Sequence, residues 1–307
     1  MSAGSVSVVI ATRDRPELLR RAIDAVLDQE HPAPLEIVLV FDRSEPDLTL
    51  ADHPGVLGRD DRRVVVTTNV QSPGLAGARN SGVATAAYEW IAFCDDDDEW
   101  LPGKLAAQFA AIEATPGARV ATTGVFIHFE GEDTARIPDP ALLTFEGFLN
   151  DRMTEVHPSA TLASAELVAE IGDVDDTIPG GYGEDYDWLL RAARLSPFAV
   201  ASEPLVRVHW HGASFFFEKW KTIDEALEFL VQKYPEFHDQ PAGLARIRGQ
   251  QAIARGAMKQ RGSAVRTAVE TLKLKPTEKR APVALLIAAG VPAGTILKTA
   301  HKFGKGL

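Results

Sequence analysis

Trp90-Ile91-Ala92-Phe93-Cys94-Asp95-Asp96-Asp97-Asp98-Glu99 is the stretch on which the reading of this chain turns. Five apolar residues precede five consecutive acids. A short run that is apolar on every residue predicts a strand buried on both faces, inside a sheet rather than at its edge. The acids then stand just beyond one end of an interior strand. In open parallel sheets that end is where ligands bind. Two carboxylates about 5 Å apart repel by roughly 3 kcal/mol at an effective dielectric of 20. A packed cluster therefore calls for a cation. The donors are hard oxygens and the nearest thiol is a lone cysteine, which favours Mg²⁺ or Mn²⁺. Mg²⁺ completes its shell with water and substrate phosphates, so the run reads as a metal site that holds a diphosphate.

Upstream, Val6-Ser7-Val8-Val9-Ile10 predicts a first buried strand. Ala11-Thr12-Arg13-Asp14-Arg15-Pro16-Glu17 follows it; Pro16 suits a first helical turn, and Asp14 with Glu17 resembles a capping box. Leu18, Leu19, Ala22, Ile23, Val26 and Leu27 repeat at helical spacing. Leu35 to Phe41 predicts a second strand closed by Asp42, and Val64 to Thr67 a third, with a long loop or weak helix over 44–62 between them. A Gly/Ala-rich segment from Gly74 to Ala87 is expected to be helical after Gly77. Downstream of the acids, Lys104, Leu105, Gln108, Phe109 and Ile112 mark one helix face, and Val120 to Phe129 is a strand. Such alternation implies an α/β fold with a mostly parallel central sheet flanked by helices. Residues 130–160 are loop-rich, Glu184 to Arg191 is a helix with acids in its first turn, and Pro204 to Trp210 is the last strand. Beyond it the chain reads as a helical C-terminal region with breaks near Pro235, Pro241, Pro276 and Pro292. The expected division is 1–215 and 216–307.

Several motifs in order now resemble glycosyltransferase family 2. They are the Val-Val-Ile-Ala-Thr-Arg-Asp-Arg-Pro start, the strand ending at Asp42, Gly74-Leu75-Ala76-Gly77-Ala78-Arg79-Asn80-Ser81-Gly82, Phe93 to Pro102 around the acids, and Gly183-Glu184-Asp185. The resemblance covers residues 5 to about 215. It implies a GT-A fold, a nucleotide-diphosphate sugar donor, a divalent metal (Mn²⁺ or Mg²⁺) and inverting transfer to a saccharide or lipid-linked hydroxyl. Carried over by position, Asp95 and Asp97 form the DxD pair, with Asp97 the metal ligand and Asp95 or Asp96 facing the ribose. Asp42 matches the acid that meets the nucleobase, although Phe41-Asp42-Arg43 lacks the second acid often found there. Thr12 and Asp14 match the nucleotide-facing loop, and Arg79 a nucleotide contact suited to phosphate or a base edge.

Glu184 and Asp185 stand where a glycine-rich loop enters a helix, whose N-terminus favours the ionised carboxylate that a base requires. In the family's Glu-Asp pair the aspartate is the usual base, so Asp185 is assigned that role. In Val208-His209-Trp210-His211-Gly212 the two histidines share one side of a strand and either could reach the metal or the diphosphate. The resemblance to a His-Gly segment favours His211. His157 has no assigned role.

The net charge of −11 hides an asymmetry: residues 246–307 hold thirteen Lys/Arg against Glu270 and Glu278, a net of +11, so residues 1–245 carry −22. An acidic body excludes a general nucleic-acid binder. The basic end reads as either a helical cap with a solvated face or a peripheral contact with anionic lipid, as would suit a lipid-linked acceptor. One cysteine, Cys94, excludes an internal disulfide and cysteine-ligated metals. With no basic-then-apolar leader and no apolar run of about 20 residues, the expected place is cytoplasmic, at the inner face of the membrane if the acceptor is lipid-linked. A sugar nucleotidyltransferase fits less well, since residues 11–15 contain no glycine for a phosphate loop. A silent sugar-nucleotide-binding scaffold would not need both the acids and Asp185. Neither the donor sugar nor the oligomeric state is readable from these residues.

Overall fold

The computed structural model describes residues 4–210 and 219–294. In chain order the elements are β1 Val6–Thr12, α1 Pro16–Leu27, β2 Leu35–Phe41, β3 Arg62–Thr68, α2 Leu75–Thr85, β4 Trp90–Phe93, β5 Glu99–Trp100, α3 Lys104–Ala114, β6 Val120–Phe129, β7 Glu132–Arg136, α4 Phe145–Asn150, β8 Thr161–Ser164, α5 Ala165–Ile171, α6 Glu184–Leu195, β9 Phe198–His209, α7 Trp220–Lys233, α8 Pro241–Ala257, α9 Arg261–Leu274 and α10 Arg280–Ala288. The chain forms two compact units. One comprises 1–145, 153–176 and 184–212, the other 146–152, 177–183 and 213–307.

The first unit is built on a mixed sheet in the order β3-β2-β1-β4-β8-β6-β9-β5, with β7 paired to β6. The β3-β2-β1-β4 half is wholly parallel. Beyond β4 the sheet adds antiparallel β8, and β6 pairs antiparallel to β8 and parallel to β9. All seven residues of β2 are buried, as its mostly apolar sequence leads one to expect, with the buried Glu36 held by Ser7 and Arg63. On α1, Leu19, Ala22, Ile23, Val26 and Leu27 are buried on one face, in the same core as Val6, Val8, Ile10, Ile37 and Leu39. Each fully buried aliphatic side chain of this set contributes about 1.5–3 kcal/mol.

Local structure differs from the sequence expectation at several places, among them strand β7 and helix α4 inside the expected loop region 130–160. The capping box at Asp14 does not form: Arg15 is the N-cap of α1, without a side-chain cap bond, and Asp14 has φ +53°. Pro16 does open the helix. Helix α2 begins at Leu75, ahead of Gly77, because Gly74 supplies the φ of +117° that starts it. Its glycines serve close packing. A Cβ on Gly82 would stand 2.2 Å from Val9 Cγ1, so only glycine lets α2 lie this near β1. Strand β9 begins at Phe198, earlier than expected, because Pro204 sits at a register shift that divides the strand's pairing with β6. Strand β8 and helix α5 were not anticipated. Four residues carry too short a period to read.

Helix α3 buries a lysine. Lys104 is fully buried, its Nζ 3.5 Å from the Trp100 ring centroid and donating to Gln108 Oε1 at 3.0 Å. Gln108 Nε2 donates in turn to the Ala160 carbonyl at 2.8 Å.

In the second unit α8, α9 and α10 pack through small residues. Ala252, Ile253, Ala268, Ala281, Ala284 and Ile287 form a separate apolar cluster. On α8, Arg255 donates to both oxygens of Asp224 on α7 at 3.0 Å and to Thr267 Oγ1 on α9 at 2.8 Å. Among the described residues no helix is long and apolar enough to cross a membrane.

Candidate active site

The parallel half of the sheet sets three loops side by side at the carboxyl ends of β1, β2 and β4. Thr12 ends β1 opposite Phe41 in register, and the Asp42 amide donates to the Thr12 carbonyl at 3.0 Å. On the other side of β1, Val9 pairs with Phe93, and the Cys94 amide donates to the Val9 carbonyl at 3.0 Å. This brings Thr12 against the acidic run: its Oγ1 donates to Asp96 Oδ2 at 2.7 Å.

The five acids do not form one solvated face. Each is held by neighbouring side chains. Asp95 Oδ1 accepts from Arg79 Nη2 at 2.7 Å, and its amide donates to Ser159 Oγ at 3.0 Å. Asp96 and Asp97 share the Arg15 guanidinium, with Nη1 at 3.1 Å from Asp96 Oδ1 and 3.0 Å from Asp97 Oδ2. Asp98 is buried and accepts from Ser159 Oγ at 2.5 Å, with His157 Nδ1 at 3.3 Å. Glu99 leaves the cluster, paired with Arg207 on β9 at 2.7 Å.

Arg79 links this run to α6. Its guanidinium is buried, lies over the Phe93 ring at 5.7 Å, and reaches Glu184 Oε1 with Nη1 at 3.1 Å. Asp185 follows in the first turn of α6. Its charge acts on Arg79, Asp95 and His157. Arg79, Phe93, Val156, Val174, Asp185 and Trp188 line one pocket.

Burial lowers the Arg79 pKa, but Asp95 and Glu184 outweigh it and hold the guanidinium charged. Burial likewise pushes the Asp95 carboxyl up, and the adjacent Arg79, with His157, brings it below the usual carboxylate range. Asp96 is raised by burial in spite of Thr12 and Arg15. Asp98 is raised well above its ordinary value by burial and then by the Asp95 charge. Burial depresses His157.

The donor atoms of Asp95, Asp98 and His157 lie within 4.8 Å of one another. Carboxylate oxygens with one imidazole nitrogen and no thiolate suit Mn²⁺ or Mg²⁺, so the residues fit the expected ion. The structure thus brings together Thr12, Arg79, Asp95, Asp96, Asp97 and Asp185. Asp42 is buried at the same edge, where its Oδ1 accepts from Asn69 Nδ2 at 2.8 Å and from the Gly74 amide at 3.2 Å. The Asp14 side chain is exposed, with Arg13 Nε at 3.7 Å. His211 lies outside the described residues. His209 stacks edge-on with His128, ring centroids 5.0 Å apart. Sequence reasoning missed Arg15, Asp98 and Ser159 and gave His157 no role. The signal for His157 and Ser159 was slight: a proline between two polar residues. Their approach to β4 depends on the pairing of β8 with β4, which spans some 70 residues of chain.

Comparison with known proteins gives the following. A sequence model described as Glycosyl transferase family 2 matches residues 7–166. The Bacillus subtilis protein named uncharacterized glycosyltransferase YwdF is 28% identical over 193 residues, 62% of this chain and 68% of that one. The Escherichia coli UDP-Glc:alpha-D-GlcNAc-diphosphoundecaprenol beta-1,3-glucosyltransferase WfgD is 31% identical over 105 residues, 34% of this chain and 40% of that one. Among solved structures, S. aureus TarS 1-349 in complex with UDP-GlcNAc matches 98% of this chain and 92% of its own, with a TM-score of 0.60 at 16% identity. The mannosyltransferase PcManGT from Pyrobaculum calidifontis, in complex with GDP-Man and Mn²⁺, has a TM-score of 0.54 at 16% identity over 98% of this chain and 80% of its own. At such identities these two structures speak to the fold alone.

Proposed function

The chain belongs to glycosyl transferase family 2 and is a glycosyltransferase of GT-A-like fold, and from that premise we propose that it is a metal-dependent inverting enzyme. It moves a sugar from a nucleotide-diphosphate donor to a hydroxyl of a saccharide or lipid-linked acceptor, in the building of a cell-surface polysaccharide or glycoconjugate. The single observation that carries this reading is the acidic run at the end of β4, held between two arginines and facing Glu184–Asp185. WfgD is named for a diphosphoundecaprenol-linked acceptor, which supports the lipid-linked alternative.

In this proposal Thr12, Asp14, Asp42, Arg79, Asp95 and Asp96 receive the nucleotide sugar. Asp97 and the Asp95–Asp98–His157 group would hold Mn²⁺ or Mg²⁺, together with His211. A bound divalent ion would stabilise the charge that develops on the departing diphosphate. Asp185 takes the proton from the acceptor hydroxyl as its oxygen bonds to the anomeric carbon. The bond from that carbon to the diphosphate oxygen breaks in the same step, and the nucleoside diphosphate leaves with the electron pair. One displacement inverts the anomeric configuration. Arg79 holds the Asp95 carboxyl below its ordinary range and orients Asp95 and Glu184 beside that path. We assign the catalytic domain to 1–215 and a helical region to 216–307, and the basic end of the latter is the proposed peripheral contact with an anionic membrane.

The test begins with a thermal-shift screen of UDP-, GDP- and dTDP-sugars with Mn²⁺, where the true donor raises the melting temperature most. Transfer from that donor to a lipid-linked or free saccharide acceptor is then followed by NMR. The expected product has the opposite anomeric configuration to the donor. Retention of configuration, or hydrolysis without transfer to any acceptor, would contradict the reading.

A further inference from the structure

Asp42 and Asn69 follow the ends of adjacent strands. β2 and β3 run in parallel register up to Phe41 opposite Thr68, and the Asn69 amide donates to the Phe41 carbonyl at 2.9 Å, so the two residues leave the sheet side by side. The Asn69 side chain is used to capacity. Its Nδ2 donates to Asp42 Oδ1 and to the Ser72 carbonyl, each at 2.8 Å. Its Oδ1 accepts from the Gln71 amide and from Ser81 Oγ, each at 2.9 Å. A turned amide would set its oxygen against two acceptors and its NH₂ against the Gln71 N–H, so one orientation alone satisfies these partners. The Gly74 amide adds a second donor to the same Asp42 oxygen, at 3.2 Å. Asp42 is buried, and both lone pairs of its Oδ1 are thereby taken, whereas Oδ2 receives no hydrogen bond from the described residues. The carboxylate has one oxygen left to offer a ligand, and that oxygen can only accept.

We propose that Asn69 is a positioning residue that sets the choice of nucleobase: by holding Oδ1 of Asp42 it leaves a one-oxygen acceptor, which selects a donor whose base is uracil or thymine. This inference deepens the nucleotide-sugar reading above and rests on it and on the proposed place of Asp42 at the base. Uracil and thymine present one N–H, at N3, between two carbonyls. Cytosine and adenine carry an unprotonated ring nitrogen at the matching edge, so Asp42 Oδ2 would face a lone pair. Guanine presents two N–H groups side by side, which a carboxylate meets with both of its oxygens. With Oδ1 taken, one of the two is left without an acceptor, and an unpaired buried donor forfeits affinity. Phe41-Asp42-Arg43 has no second acid to supply the missing acceptor.

The experiment is calorimetric titration of UDP, dTDP, CDP, GDP and ADP with Mn²⁺ into the full-length chain, on wild type, Asp42→Asn and Asn69→Asp. One hydrogen bond to a charged group sets the scale, so UDP and dTDP should bind wild type about 10-fold to 100-fold more tightly than the other three. Asp42→Asn keeps the shape of the side chain. Asn69 and Gly74 still claim its oxygen, which turns the introduced NH₂ toward the base, where it donates to cytosine N3. The preference for UDP over CDP should then fall about 10-fold or more. Asn69→Asp keeps an acceptor for Gln71 and Ser81 but sets a carboxylate against Asp42, and it should erode the same preference. A purely structural role for Asn69 would weaken all five nucleotides alike, and that result would overturn the proposal. The wild-type panel decides even if a variant fails to fold: CDP, GDP or ADP bound as tightly as UDP would overturn the proposal and leave the nucleotide-sugar reading standing. Binding of none of the five would overturn both.

Discussion

Replacing Lys104 with methionine should change how the stability of the protein depends on pH. The ammonium is fully buried, with Gln108 Oε1 and the face of Trp100 as its company. Burial pushes its pKa from 10.5 down to about 7. That fall disfavours the charged form in the folded state by about 5 kcal/mol. The unfolded chain still binds this proton up to its ordinary value, so between about pH 7 and 10.5 the unfolded state holds more protons and stability rises with pH. Below about pH 7 both states carry the proton, and the full penalty applies. Methionine has a similar length and no charge. It abolishes this slope, at a cost of about 1–3 kcal/mol for the unpartnered Gln108 oxygen. Urea melts at pH 6, 7.5 and 9 provide the assay. Other titrating groups are common to both proteins, so the difference isolates Lys104. The variant should exceed wild type by about 2–4 kcal/mol at pH 6, and the gap should close or reverse by pH 9. Parallel stability curves, or a variant weaker at every pH, would refute the reasoning and mean that Trp100 and Gln108 hold the ammonium charged.

Asp185→Asn should keep nucleotide-sugar affinity in calorimetry and lose about 10²–10⁴-fold in turnover; wild-type turnover would remove Asp185 from the mechanism. Gly82→Ala places a methyl 2.2 Å from Val9 Cγ1 between α2 and β1; it should cost about 1–3 kcal/mol by thermal denaturation, and an unchanged melting temperature would contradict the packing argument. Ser159→Ala removes the hydroxyl that donates to Asp98 and accepts from the Asp95 amide. It should cost about 1–3 kcal/mol of stability, against no change if that hydroxyl were incidental.

The parallel half of the sheet was legible because its interior strands β1, β2 and β4 are buried and read as largely apolar runs. Leu35 to Phe41 matches β2 residue for residue. The other half was legible only in part, because antiparallel β8 is four residues long and β9 is divided at Pro204. At the site, the elements bearing Thr12, Arg79 and the acidic run follow from strand ends and helix starts, which is local information. His157 and Ser159 reach the cluster through the pairing of β8 with β4, and no spacing in the sequence encodes that. Arg15 was visible as a residue, but its partners lie 81 and 82 positions away.

Calorimetric titration of the donor's nucleoside diphosphate, with Mn²⁺ and then with EDTA, on wild type and on Asp97→Asn, asks whether the acidic run holds an ion for the diphosphate. Wild type should bind the diphosphate tightly with Mn²⁺, EDTA should weaken this binding steeply, and Asp97→Asn should bind weakly whether or not Mn²⁺ is present. Equal affinity of wild type with Mn²⁺ and with EDTA would mean that the aspartates at 95–98 do not hold an ion for the diphosphate, and would contradict the account.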